Sequence, residues 1–435
     1  MRILLISANT EPFPEPVFPV GAVYVANALQ EKGARVRIFD MRHHSDSSLA
    51  KEIGVFRPDR IGVSLRNVDN AAYPATRFYL PSYASLVKSL RSSCDAPIIL
   101  GGSAFSLFPG AISSYLETDG GVSGDGEGAF SAFMNTDHGR IFSSHLSELD
   151  DVAFPDNIAE LFPGFRRYRT VGIQTARGCP SHCIYCTYPC LEGRTLRKRP
   201  PEVVAHEIAR LNKDFGVRNF FIVDSLFNAD EDHMVNVARK IAALDLRVRI
   251  SCYLQPKIAD PYVFRILKNA GCVAVDFGTD SGSAAMLASL GKPFTRDDIR
   301  NASQACADAG MDFCHSLILG GPGETPETIR ETVSLMDEIS PRAVIAMTGI
   351  RIYPGTPLER IAGEEGIMSR GLSLLDPRFY FPAMGPQKLL RCAYGSAAGR
   401  RNWFFPGRKD WSAAVGFKIL RYLYRRGPLW RTFMK

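Results

Sequence analysis

The feature that most limits what this chain can fold into is a regular alternation of strand-like and helix-like stretches, which runs, stops and then runs again. RILLIS reads as a strand and VGAVYVANALQEKG as a helix with apolar residues at helical spacing, closed by Gly33. RVRIFD, RIGVSL and APIILGG follow as strands, separated by the helical stretches SSLAKEIGVFRP and LPSYASLVKSLRSS. PGAISSYLE is a further helix, and GGVSGDGEGAFSAFM reads as a strand, a glycine-rich turn and a helix. This rhythm over residues 1–135 predicts a doubly wound, Rossmann-like parallel sheet. In such sheets ligands sit beyond the carboxyl ends of the strands, where the strand order reverses. Residues 136–168 lack clear periodicity and hold Pro155 and Pro163, so they read as a linker. From Thr170 the rhythm restarts. Residues 169–368 hold about six βα units, enough for a partial (β/α)6 barrel of the TIM type but short of a closed one. Residues 369–435 form a small helical segment rich in aromatic and basic side chains.

Composition narrows the class further. Apolar residues make up 46% and charged residues 22%, ordinary for a globular chain. No uninterrupted apolar run of about 18 residues appears, so no transmembrane helix is expected. MRILLISANTEPFP is too soon broken by Asn, Glu and Pro to be a secretory signal, and a cytoplasmic location is expected. Of ten cysteines, Cys94, Cys252, Cys272, Cys306, Cys314 and Cys392 are scattered, several in apolar stretches that suit buried reduced thiols.

Three others fall together. TARGCPSHCIYCTYP spaces Cys179, Cys183 and Cys186 as C-x3-C-x2-C directly after a predicted strand. Three thiolates from one tight loop can hold three irons of a cubane and leave the fourth iron open to a non-protein ligand. Gly178 lets the backbone wrap closely, and Tyr185 is placed to shield the cluster. The rival is structural zinc with Cys190 as a fourth thiolate. Zinc loops usually bring their cysteines as two separated pairs, however, and this loop has no second pair.

The loop resembles the signature of the radical S-adenosylmethionine (radical SAM) superfamily, and the resemblance extends over roughly Thr170 to Leu358. It implies a [4Fe–4S] cluster whose open iron chelates S-adenosylmethionine. It also implies reductive cleavage to a 5′-deoxyadenosyl radical, with electrons from an external donor such as a flavodoxin or ferredoxin. FFIVDSLFN resembles the family segment near the methionyl amino group, which points to Asp224 and Asn228. FGTDSGSAAMLASLGKPFT resembles the G-x-E-S-G stretch near the ribose and carboxylate. Asp280 stands there for the Glu, one methylene shorter, beside Ser281. SLILGGPGET resembles the glycine-rich strand end near the adenine, and IYPGTPL the turn after the last barrel strand.

The first domain has neither a G-x-G-x-x-G at its first turn nor a G-x-x-x-x-G-K-[ST] loop. FPVGAVYVANALQEKGARVRIFD, RIGVSLRNVDN, IILGGSAFSLFP and GVSGDGEGAF instead resemble the units of cobalamin-binding domains that precede many radical SAM cores. The D-x-H-x-x-G segment is missing, and His43 and His44 lie in the wrong place for it, so cobalamin without histidine ligation is implied. Arg66, Asn67 and Asn70 are candidates to touch the corrin, and Gly101, Gly102 and Ser103 its nucleotide tail. Gly124 and Glu127, in a G-D-G-E segment where the family has G-E-G-E, are further cobalamin candidates by the same resemblance.

Arg401–Lys435 carries nine Lys or Arg against one Asp. WSAAVGFKILRYLYRRGPLWRTFMK combines Trp411, Phe417, Ile419, Leu420, Tyr422, Leu423 and Trp430 with six basic residues, a pattern that suits weak contact with an anionic membrane surface. Packing on the barrel is the favoured reading, because Gly427 and Pro428 interrupt the helix. The local charge brings no recognised RNA motif, so no nucleic-acid partner is expected. Together these features predict a cobalamin-dependent radical SAM enzyme acting on a small-molecule or lipid-like substrate, with methyl transfer to an unactivated carbon as the leading reaction. Cyclisation or oxidative rearrangement with the same cofactors is one rival, and a non-catalytic iron–sulfur or cobalamin sensor the other.

Overall fold

A computed structural model describes residues 1–12, 15–134, 139–368, 371–408 and 427–432 of the chain. Six strands make the first sheet: β1 (Arg2–Ser7), β2 (Arg35–Asp40), β3 (Arg60–Ser64), β4 (Ile98–Gly101), β5 (Gly120–Gly124) and β6 (Arg140–Ser144). All pair in parallel in the order β2-β1-β3-β4-β5-β6, so the order reverses between β1 and β3. β1 is an unbroken apolar run because both its faces are covered. Ile3 and Leu5 pack into one core cluster, Leu4 and Ile6 into another.

The stretch read as a linker is structured. Its RIFSS is the edge strand β6, which buries little and so carries no apolar run. After it Leu149, Val152, Phe154, Phe162 and Phe165 are all buried, in the core cluster that also holds Ile3 of the first sheet and Phe220 of the second. Phe18 stacks on Phe154, and Tyr168 donates to the buried Asp40 at 2.8 Å. Aromatic side chains spaced irregularly along an extended chain can fill a seam between two sheets without producing any helical or strand period.

The second sheet contains the six parallel strands expected: β7 (Val171–Ile173), β8 (Asn219–Ile222), β9 (Arg249–Leu254), β10 (Cys272–Asp280), β11 (Asp312–Leu319) and β12 (Ala343–Thr348). A short seventh, β13 (Trp403–Phe404), comes from the C-terminal segment and pairs in parallel with Val344 and Ile345. β7 and β13 are the two edges, so the barrel is open. Cys252, Leu254, Val275, Phe277 and Phe313 alternate outward into the helix layer. The intervening residues face the lumen: Tyr253 on β9, Asp276 and Gly278 on β10, and Cys314 and Ser316 on β11.

The carboxyl edges of the two sheets face each other. The loop after β3 reaches over the barrel, where Asp69 forms a buried ion pair with Arg351 at 2.8 Å and Tyr73 accepts a hydrogen bond from Thr348. At the other end of the lumen, residues 427–432 fold back and insert Trp430 among Ala274, Cys314 and Ala343. Trp430 is therefore interior, which removes it from any membrane-facing surface. The small side chains of Ala274 and Ala343 leave the room it fills. Trp411, Phe417, Ile419, Leu420, Tyr422 and Leu423 lie outside the described residues. No helix among the described residues is long and apolar enough to cross a membrane.

Candidate active site

The cysteine loop leaves β7 at the carboxyl edge of the barrel. Gly178 has φ +99, and a Cβ there would stand 2.2 Å from the Thr195 carbonyl oxygen, so only glycine fits the turn that delivers Cys179. The three thiols lie within electrostatic reach of one another, and burial pushes Cys183 up and Cys186 up to about 12. No three His, Cys, Asp or Glu side chains among the described residues converge on one ion-sized point. Three close, desolvated thiols of this kind fit a positively charged polynuclear group better than a single ion. Cys190 stands apart, its thiol turned to the Gly355 carbonyl, and completes no tetrahedron.

Asp280 ends β10 with φ +64, where an aspartate is strained, and a register shift between Gly278 and Asp280 marks the same place. Its carboxylate receives a short hydrogen bond from Tyr185 and an ion pair from Lys292 at 2.7 Å. Burial alone would lower the Lys292 ammonium, yet Asp280 and Cys183 beside it hold it above its usual range. A phenol, a carboxylate and an ammonium beside Cys183 suit an amino-acid head group next to a cluster. Lys292 is a residue the sequence reading missed. Its signal lay in the quoted SLGKPFT, where a lysine follows an apolar helix end.

The other residues singled out for S-adenosylmethionine shape the site from behind. Asp224 is 2% exposed and accepts from the Thr175 amide and hydroxyl and the Ala176 amide, which fixes the chain entering the cysteine loop. Burial pushes its carboxyl up to about 7. Asn228 exchanges two hydrogen bonds with the Gln255 backbone, and Gln255 in turn donates to Ser181 inside the loop. Ser281 is fully buried against Thr332 and accepts from the Ser283 amide.

The cobalamin candidates gather at the carboxyl ends of β3, β4 and β5, next to the reversal point. Arg66 is exposed, and its carbonyl accepts from Ser103 at 2.6 Å. Gly102 has φ +90, with the Leu65 carbonyl 2.5 Å from where a Cβ would stand, so the β4 turn closes against the β3 end only as glycine. Gly101 ends β4 next to it. Asn67 keeps its side chain beside Arg66, and Tyr83 donates to its carbonyl. Asn70 spends its amide on the loop itself, bonding Ala72, Ala75 and Arg77. The exposed Arg66 and the glycine edge fit a large ligand laid across these strand ends.

The G-D-G-E segment does something the sequence did not reveal. Gly124 turns the chain with φ +92. Glu127 then pairs with Arg177 at 2.6 Å, and Asp125 with Arg177 at 2.7 Å and Arg197 at 2.6 Å. Burial pushes Asp125 up, but the two arginines outweigh it and hold the carboxyl below its usual range. Arg177 sits two residues before Cys179, so this buried quartet clamps the first domain onto the cysteine loop.

A doubly wound sheet and an open barrel joined carboxyl edge to carboxyl edge, with a three-thiol loop at the junction, define the cobalamin-binding class of radical SAM enzymes. The B12 binding domain family matches residues 6–134, and the Radical SAM superfamily matches residues 173–336. The chain belongs to these enzymes. It is 24% identical to an uncharacterized methyltransferase of Pyrococcus horikoshii, over 91% of this chain and 92% of the relative. It is also 24% identical to tryptophan 2-C-methyltransferase of Streptomyces laurentii, over 82% of this chain and 74% of the relative. Among solved structures, the radical S-adenosylmethionine methyltransferase TsrM from Kitasatospora setae, with cobalamin and a [4Fe–4S] cluster bound, has the same fold. Its TM-score is 0.86 at 21% identity, over 99% of this chain and 96% of that one.

Proposed function

We propose that the chain is a cobalamin-dependent radical SAM methyltransferase that places a methyl group on a carbon of a small molecule held in the barrel lumen. The observation that carries this reading is the meeting of the two carboxyl edges. Ion pairs from the first domain reach both the barrel, Asp69 to Arg351, and the chain entering the cysteine loop, Asp125 to Arg177. When bound, the cluster with S-adenosylmethionine supplies one-electron cleavage of a sulfonium, and cobalamin supplies a transferable methyl group. Cys179, Cys183 and Cys186 would hold the cluster, and Tyr185, Asp280 and Lys292 the amino-acid head group beside it. Arg66, Gly101, Gly102 and Ser103 would face the corrin and its tail. The protein's own work is positioning and exclusion of water. The Asp125–Arg177–Glu127 clamp fixes the distance between the two cofactor edges, and the loop over residues 65–79 roofs the lumen. Both similar relatives named above are methyltransferases, which favours methyl transfer over ring closure. Electrons would come from an external flavodoxin- or ferredoxin-type donor.

The test is anaerobic reconstitution with iron, sulfide and hydroxocobalamin, followed by turnover with S-adenosylmethionine carrying a deuterated methyl group. About four irons and one cobalt retained per chain, with label appearing in product, is the expected result. A product lacking the label, formed with 5′-deoxyadenosine release, would overturn methyl transfer in favour of rearrangement.

A further inference from the structure

The lumen has an inner end that none of the assignments above uses. Tyr253, Asp276, Cys314 and Ala343 are register partners on β9, β10, β11 and β12, and so form one lateral row across it. Tyr253 is 43% exposed, yet burial is the main cause pushing its phenol up, so its ring lies deep in the protein while facing open space. Phe221 on β8 meets that ring edge to face at 5.1 Å and extends the wall. Tyr253 is also within electrostatic reach of Asp276 on one side and of Tyr188 and Arg66 on the other. The part-exposed Tyr253 ring therefore stands between the cobalamin-side arginine and the buried carboxylate.

Asp276 closes this space from the side and is 5% exposed. One carboxylate oxygen accepts from the Cys314 thiol at 2.7 Å, a weak donor. The Trp430 indole comes up from below. Its N–H approaches the same carboxylate without reaching hydrogen-bond geometry, and it is left without a partner among the described residues. No lysine, arginine or histidine among the described residues acts on Asp276, and burial pushes its carboxyl up to about 7. A buried carboxylate with no cation beside it is costly unless something else supplies the charge. Several other carboxylates packed near the lumen have that charge built in: Asp69 has Arg351, Asp125 and Glu127 have Arg177, and Asp280 has Lys292. Asp224 has no cation but accepts from two amides and a hydroxyl, where Asp276 has one thiol. At Asp276 the protein leaves the charge to a visitor.

We propose that Asp276 is the inner anchor of the substrate site and that the substrate carries a protonated amine on its deepest part, next to a flat or apolar portion lying against Phe221 and Tyr253. The inference rests on the lumen being the acceptor's site. An ammonium group would complete a charge-assisted hydrogen bond with Asp276, and the methylated carbon would then lie toward the open, cofactor-facing end. The row spacing makes Asp276 a specificity residue, since only molecules long enough to reach it while remaining near the cysteine loop are held at both ends.

Equilibrium dialysis of the anaerobically reconstituted holoenzyme with isosteric probes tests this: phenethylamine against 2-phenylethanol, and tryptamine against tryptophol. The wild type should bind each amine at least about tenfold more tightly than its alcohol. Asp276→Asn should bring the ratio to within about twofold while alcohol binding, iron and cobalt are retained, and Cys314→Ala should keep the preference. No preference in the wild type, or an undiminished one in Asp276→Asn, overturns the proposal. Should Asp276→Asn fail to keep iron and cobalt, infrared difference spectra of the wild type decide. Tryptamine must remove a protonated-carboxyl band, and an unchanged band overturns the proposal. Methyl transfer is read separately from labelled S-adenosylmethionine. Amine selectivity without label transfer would therefore count against the reaction and leave the anchor standing.

Discussion

Asp276 and Asp280 lie on the same barrel strand and are both almost fully buried, yet they are equipped in opposite ways. Asp280 has a lysine and a tyrosine aimed at it, whereas Asp276 has a thiol and an approaching indole N–H but no cation. The difference shows two uses of a buried carboxylate in one lumen. With its counter-charge built in, the group is part of a rigid, pre-set cradle. Without it, the group is a vacancy of charge that a ligand can fill. The first kind resists change from within, and the second is changed by whatever binds.

Removing built-in cations should break the first kind, and the largest effect is expected where one cation serves two carboxylates. Arg177→Ala leaves Asp125 with Arg197 and the more distant His145, and takes the ion pair of Glu127 away. It should cost about 5 kcal/mol, read by urea denaturation, together with loss of bound iron. Lys292→Met strips Asp280 of its ammonium but leaves the Tyr185 hydrogen bond, so about 3 kcal/mol is expected, with cobalt content unchanged. If either variant is as stable as the wild type, the distinction between equipped and unequipped carboxylates fails.

Asp276→Asn should be much milder, within about 1 kcal/mol near neutral pH, because no partner cation is orphaned. Its signature is in the pH dependence. The folded pKa of about 7 lies above the ordinary carboxyl value, so the native state binds the proton more tightly. The contribution is fully present below the lower value and is lost as pH rises toward the upper one. Wild-type stability should therefore gain less, or fall more, between pH 5 and pH 7.5 than that of Asp276→Asn, as urea midpoints at the two pH values would show. Asp224 adds a slope of the same sign in both proteins and cancels from the difference. Cys314→Ala is the smallest change, within about 1 kcal/mol, since it removes one weak donor from Asp276. A larger loss would mean that the thiol, rather than a ligand, is what satisfies the carboxylate.

Much of the architecture was legible because it is written in local periods. The βα rhythm announced both sheets, and the crowding of Cys179, Cys183 and Cys186 announced the loop that the barrel edge presents. The seam over residues 140–168 was not legible. β6 is a half-covered edge strand, and the aromatic residues after it are placed for a three-dimensional gap rather than for a period. Asp276 and Lys292 escaped for a related reason. Each is an ordinary charged residue in its own segment, and its meaning comes from Cys314, Trp430, Asp280 or Cys183, all distant in sequence or out of phase. Trp430 shows the converse, since packing on the barrel is the favoured reading of its segment and its side chain does pack there, completing the interior. In the G-D-G-E segment the motif was visible, but its pairing with Arg177 became apparent only when the two domains were seen together.

The floor under the lumen has an evolutionary corollary. Because Trp430 enters from a segment outside the sheet, lumen depth can drift by exchange of one bulky side chain while the strands that carry the cysteine loop stay under separate selection. The depth of the lumen, unlike its anchor Asp276, is thereby set on a stretch of sequence apart from the cysteine loop. A lineage can thus explore longer or shorter acceptors without first risking the chemistry that modifies them.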